Sequence, residues 1–233
     1  MIDSLGGPGS GVVVREPFRV AWYSRPSGGE RGGDRIAAAP DPEGGLRFYV
    51  ADATGHGELG AGFWRRNAAA FDEAWVARGD LRSFVLGMND RLAAAGEQLC
   101  LAAGRLDPAG GLSFVVHGYG VHVLGAGPPV RRFGPKLGWF ESSRWGPGGY
   151  VEHVATGVRR VIVISDGWLG DDFADPPATL RLVEAMGEAL RDVPLEDLAA
   201  RAFEIGDVRD DDLSLLGTEL FSSRAAPVDR LLG

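Results

Sequence analysis

Four short acidic segments constrain this chain more than any other feature: Gly-Gly-Asp34, Asp52-Ala-Thr-Gly-His-Gly, Ser165-Asp166-Gly and Asp210-Asp211-Asp212-Leu-Ser. Each stands at a turn or beside an apolar, strand-like run, where a sheet can carry carboxylates from distant parts of a chain to one edge. An Asp-Gly pair or a run of Asp is, taken singly, an ordinary solvated turn. Asp52-Ala-Thr-Gly-His-Gly is sharper, because an acid, two glycines and a histidine are compressed between a strand and a helix. In this order the segments suggest a site for hard divalent cations, which favour oxygen ligands, with Asp34, Asp52, Asp166 and Asp211 as candidates.

The stretches between the acids read as alternating strand and helix. Phe18 to Tyr23 and Leu46 to Ala51 are short strands, the second entered through an Asp41-Pro-Glu-Gly-Gly turn and delivering Asp52 at its end. From Leu59 to Arg78 the period becomes helical, with Trp64, Ala68, Phe71 and Trp75 on one face as core residues rather than stacking platforms. Leu81 to Ala95 repeats the pattern. Gln98 to Phe133 reads as an antiparallel meander, and Val158 to Ser165 as an interior strand. Asp175-Pro-Pro caps a helix through Leu180, Val183 and Leu190, a second helix opens at Pro194, and Asp212 to Leu220 is a last strand. Two antiparallel sheets packed face to face, with helices outside, bury both apolar periods.

With 233 residues, 45% of them apolar, the chain can fill a large single core. We expect a lead-in over 1–16, a folded domain over 17–221 and a short tail over 222–233. The balance of 24 basic against 32 acidic residues, a net charge of -8, argues against nucleic acid or an anionic membrane as partner, since the arginines are scattered. No apolar stretch reaches the roughly 18 to 20 residues of a membrane helix. The first residues do not read as a secretory signal, and a cytoplasmic location is the expectation. Cys100, alone in an apolar run, reads as a buried structural thiol. No Ser-His-Asp pattern or nucleophile elbow accompanies Ser165.

Together the four segments resemble the metal-dependent protein serine/threonine phosphatases, in particular the branch typified by the stage II sporulation protein E phosphatase and the phosphatases of bacterial sigma-factor switches. Gly33-Asp34 resembles that family's first acid. Asp52-Ala-Thr-Gly-His-Gly is similar to its Asp-Val-Ser/Met-Gly-His-Gly, Ser165-Asp166-Gly167 to its Thr-Asp-Gly, and Asp211-Asp212-Leu-Ser214 to its Asp-Asp-x-Thr. The resemblance implies a four-layer α-β-β-α sandwich of the α+β class and two Mn2+ or Mg2+ ions. Asp52 would bridge them, with Asp166 and Asp211 completing the first and Asp34 and the Ala53 carbonyl holding the second. It further implies hydrolysis of phosphoserine or phosphothreonine on a phosphorylated regulatory protein, with an anti-sigma antagonist or related regulator as partner. The chain departs from the family at Val116-His-Gly-Tyr-Gly-Val-His, after Asp34, and around Thr156-Gly157.

Arg25 and Arg31, on the loop leading to Asp34, are candidate phosphate ligands, with surface salt bridges as the alternative. His56 is either a structural hydrogen-bond partner or an acid near the leaving group. His117 and His122 are expected on opposite faces of one strand, outside any metal cluster. The segment 135–151, with Trp139, Phe140 and Trp145, reads as a flap over substrate or as a cover for the core. A non-catalytic phosphatase-fold interaction protein and a small-molecule phosphomonoesterase are the competing functional readings.

Overall fold

The structure, a computed structural model, describes residues 9–27, 32–55, 57–77, 80–124, 134–169, 176–206, 208 and 211–221. Its elements are β1 (Gly9–Arg15), β2 (Phe18–Arg25), β3 (Asp34–Pro40), β4 (Leu46–Ala53), α1 (Glu58–Ala77), α2 (Leu81–Ala95), β5 (Leu99–Leu106), β6 (Leu112–His117), β7 (Val121–Leu124), β8 (Glu152–Ala155), β9 (Arg160–Ser165), α3 (Pro176–Leu190), α4 (Leu198–Ile205) and β10 (Leu213–Leu220). One sheet runs β1-β2-β10-β9-β7 and the other β3-β4-β5-β6-β8. Every neighbouring pair is antiparallel.

Three apolar layers hold the sandwich together. Phe18, Val20, Ile36, Phe48, Val50, Val161, Val163 and Leu216 fill the space between the sheets. On the outer face of the second sheet, Tyr49, Leu101 and Val115 meet α1 and α2. On the outer face of the first, Ile162, Ile164 and Leu215 meet α3 and α4. The interior strands are therefore covered on both sides, and Val-Ile-Val-Ile in β9 reads as an unbroken run because β7 and β10 flank it within a covered sheet.

The α1 face expected from sequence is buried as core. Phe71, fully buried, stands edge-on to Trp64 (5.4 Å) and to Phe84 of α2 (5.2 Å), and burying a side chain of that size stabilises by roughly 1.5–3 kcal/mol. The Asp80 carboxylate caps α2 by accepting from the Ser83 N–H at 2.7 Å. At the other end Gly96, at φ 67°, closes the helix in the left-handed conformation.

Two expectations change, and an open alternative is decided. Gly9–Arg15, placed in the lead-in, is an edge strand paired with β2 over its full length; its alternation of Gly, Ser and Val carried too weak an apolar signal to stand out. The meander is not one sheet, because the chain leaves the second sheet after His117, crosses at Gly118–Gly120 and enters the first as β7. The segment after residue 133 lies against α2. Asn89 accepts from the Gly138 N–H (2.8 Å) and donates to the Phe140 carbonyl (3.0 Å), Asp90 accepts from Ser142, and Trp145 stacks on His117. Trp145 thus covers the helical layer, while Trp139 is 65% exposed. The Asp175 cap and residues 222–233 lie outside the described residues.

Candidate functional site

Antiparallel pairing explains how the acids meet. Asp34 opens β3 and Asp52 lies at the end of β4, and the register sets them directly opposite each other. In the other sheet β9 ends at Ser165, just before Asp166, and the adjacent β10 begins just after Asp212. All these strand ends lie at the same mouth of the inter-sheet space. Asp34 and Asp52 face inward, since Ile36 and Val50, the next pair of the same parity, belong to the inter-sheet core.

The carboxylates act on one another. The Asp34 carboxyl is pushed well above the usual range, chiefly by burial. The charges of Asp212 and Asp166 add to this, and the Ser165 and Ser214 hydroxyls oppose it. Asp52 is raised by burial and then by Asp34, Asp166 and Asp211, with Lys136 pulling the other way. Asp34 Oδ2 is buried and has no hydrogen-bond partner. Among the described residues, no three acidic, imidazole or thiol side chains converge closely enough to form a metal cluster by themselves. What the structure provides is a set of carboxylates in a shared negative field, one of them with a buried oxygen that lacks a hydrogen-bond partner; both suit a hard cation.

Backbone contacts set the walls. Gly120, in the crossing between sheets, lies so close that a Cβ there would stand 2.3 Å from Asp52 Oδ2 and 3.0 Å from Cys100 Sγ. The Gly120 carbonyl accepts from the Asp166 N–H at 2.9 Å, which ties this crossing to the turn carrying Asp166. That turn is anchored by fully buried Trp168, whose indole N–H donates to the Ser214 carbonyl at 2.9 Å. On the other side, α1 packs backbone to backbone on the Gly33 loop: a Cβ at Gly60 would meet Gly33 Cα at 2.4 Å. Trp64 Nε1 donates to the Gly33 carbonyl at 2.6 Å, and the buried Ala53 donates its N–H to the same oxygen at 3.0 Å.

The two adjacent acids before β10 have different surroundings. Asp211 is half-buried and its Oδ1 accepts from the Asp212 N–H at 2.7 Å. Asp212 is 4% exposed, and its carboxylate accepts from the Ser27 N–H at 2.7 Å and from the Gly33 N–H. It thereby holds Ser27 and Gly33, the residue before Asp34. Sequence reasoning did not assign Asp212 this role. The available signal was a third acid directly against a strand, where a side chain reaches neighbouring backbone donors.

Not every candidate reaches the site. Arg25 lies opposite Leu213, on the face of its sheet that meets the helices, and its guanidinium sits 5.4 Å over the Phe203 ring. One residue of parity separates it from Ser24, which pairs with Ser214 on the inner face. Arg31 and His56 lie outside the described residues. His117 and His122 belong to different sheets, not to one strand, and burial lowers each to about 4, so both are neutral at physiological pH. Cys100 is a buried thiol pushed up to about 12 by burial and then by Asp52, the state of an inert structural cysteine.

No protein-family model and no curated protein matches the sequence. Solved structures match over nearly the whole chain. RsbX in complex with magnesium is 17% identical, with a TM-score of 0.66 over 91% of this chain and 100% of that one. The PP2C phosphatase domain of SpoIIE from Bacillus subtilis gives 0.65 at 12% identity, over 91% and 70%. The SiaA PP2C domain of Pseudomonas aeruginosa gives 0.61 at 18%, over 87% and 86%.

The chain has the PP2C phosphatase fold.

Within that fold, the charges of Asp34, Asp166 and Asp211 reach Asp52 at the mouth of the inter-sheet space, and those of Asp212 and Asp166 reach Asp34.

Proposed function

We propose that the chain is a divalent-cation-dependent phosphatase that hydrolyses phosphoserine or phosphothreonine on a regulatory protein, in the cytoplasm and as part of a bacterial sigma-factor partner switch. The observation that carries this reading is the directly opposed Asp34–Asp52 pair, which shares its field with Asp166 and with the acids before β10. The likeness to RsbX, solved with magnesium, and to the SpoIIE phosphatase domain supports it.

Asp52, Asp166 and Asp211 would hold one Mn2+ or Mg2+, and Asp34, Asp52 and the Ala53 carbonyl a second. Bound there, the cations supply a water of lowered pKa and offset the charge on the phosphoryl oxygens. The chain's own contribution is positional. Burial and mutual repulsion make the carboxylates costly to ionise without a cationic partner, which favours capture of cations. The Gly120 backbone and the turn after Asp166 hold two of these acids in place. The non-catalytic reading draws on one observation, that no three ligands already converge among the described residues.

The test is phosphate release from a panel of serine-phosphorylated regulatory proteins, with Mn2+ or with chelator, comparing the parent with Asp52→Asn and Asp166→Asn. Turnover that requires Mn2+ and falls by at least about 100-fold in both variants is expected. Metal-dependent turnover retained by both rejects the assigned centre. A parent that binds phosphoprotein but never releases phosphate favours the scaffold.

A further inference from the structure

Lys136 is the only lysine among the 24 basic residues of the chain, and the sheet places it in the same transverse row as the two central carboxylates. Asp34 lies opposite Asp52, and Asp52 opposite Cys100. Beyond the end of β6, the chain returns alongside β5. Leu137 and Leu99 exchange both backbone hydrogen bonds, at 2.9 and 3.1 Å, as an antiparallel pair. One residue along, that register sets Lys136 beside Cys100. Residues directly opposed across antiparallel strands project from the same face, and Cys100 faces the inter-sheet space. The row therefore reads carboxylate, carboxylate, thiol, ammonium, ending in the one positive group.

The charge of Lys136 is felt at both Asp52 and Cys100. Lys136 makes no ion pair with any described residue, so its ammonium acts on Asp52 without closing on it. The thiol between them is buried, with the Gly118–Gly120 backbone packed against it. Among the described residues, Arg35 binds Asp72 at 2.6 Å and lies over Trp64, and Arg25 lies over Phe203.

We propose that Lys136 is a substrate-binding residue, its ammonium contacting a phosphoryl oxygen of the phosphomonoester brought against the Asp34–Asp52 pair. This rests on the phosphatase reading. A dianionic group entering a field of carboxylates needs fixed positive charge on the side away from them, and a compact ammonium on a flexible stem supplies it to a single oxygen. Any cations held by the acids act from the other end of the row.

The experiment compares the parent with Lys136→Met, Lys136→Gln and Lys136→Arg, each checked for fold by circular dichroism. Hydrolysis of p-nitrophenyl phosphate with Mn2+, inhibition by inorganic phosphate and calorimetric Mn2+ binding are measured for each. In the Met and Gln variants, KM and the phosphate inhibition constant are expected to rise about 10- to 100-fold, the loss of one charged hydrogen bond, with kcat changed less than about 3-fold. Mn2+ affinity should not weaken, and Arg should recover part of the phosphate affinity. Unchanged KM and phosphate inhibition in a folded neutral variant, beside an active parent, overturn the Lys136 assignment alone. A parent that neither binds Mn2+ nor turns over overturns this assignment together with the phosphatase reading. Gln tests the loss of charge at nearly constant polarity, so a destabilised Met variant does not decide the matter.

Discussion

Replacing Asp52 by Asn is expected to abolish turnover and, in the same protein without metal, to raise stability. Asp34 and Asp52 are directly opposed across β3 and β4, an arrangement with Cβ atoms roughly 5 Å apart. Two full charges at that separation repel by about 3 kcal/mol at an effective dielectric near 20. Retention of a proton by one of the pair already relieves part of this, so about 1–2 kcal/mol is the expected gain. For a chain of this size that is a rise of roughly 2–8 °C in Tm. The sign with pH follows from the raised carboxyls. A group whose folded pKa lies above its unfolded value contributes stability that is complete below the unfolded pKa, near 4, and is lost as pH climbs through the folded value. The difference in Tm between Asp52→Asn and the parent, followed by circular dichroism in chelator, should therefore be small near pH 4.5 and grow toward pH 8. Saturating Mn2+ should reverse the order, because it stabilises the parent by mass action and the variant far less. A variant that melts at or below the metal-free parent across the whole range would refute the argument that these carboxylates repel in the folded state.

Removing the Asp212 carboxylate by Ala leaves the Ser27 and Gly33 N–H groups without their acceptor and is expected to cost about 2–4 kcal/mol in urea denaturation, with Asn recovering part; a loss under about 0.5 kcal/mol would show that this anchor is dispensable. Gly120→Ala drives a methyl group into Asp52 Oδ2. It should weaken calorimetric Mn2+ binding by at least about 10-fold and destabilise by roughly 1–3 kcal/mol, whereas unchanged affinity would mean that Asp52 has room to move.

Much of the fold was legible because each layer imposes its own period. Trp64, Phe71 and Trp75 recur at helical spacing and form one side of a core, and the Val-Ile-Val-Ile run of β9 marks a strand covered on both faces. Gly9–Arg15 escaped notice because an edge strand needs few large apolar residues. The crossing at Gly118–Gly120 escaped because a change of sheet leaves the strand alternation on either side intact. Arg25 looked available to phosphate from its place before Asp34, yet strand parity turns it toward Phe203.

The local order of residues decided by itself that four acids stand at strand ends and turns, since the apolar runs stop beside them. Only the tertiary structure decided which face each residue serves. Pairing register makes Asp34 and Asp52 opposing neighbours, turns Asp212 onto backbone donors while Asp211 remains half-exposed, and sets Lys136 in their row from a segment more than eighty residues beyond Asp52. Those choices depend on hydrogen bonds between strands far apart in the chain, and a shift of one residue in any of them would send the same side chains to the opposite face.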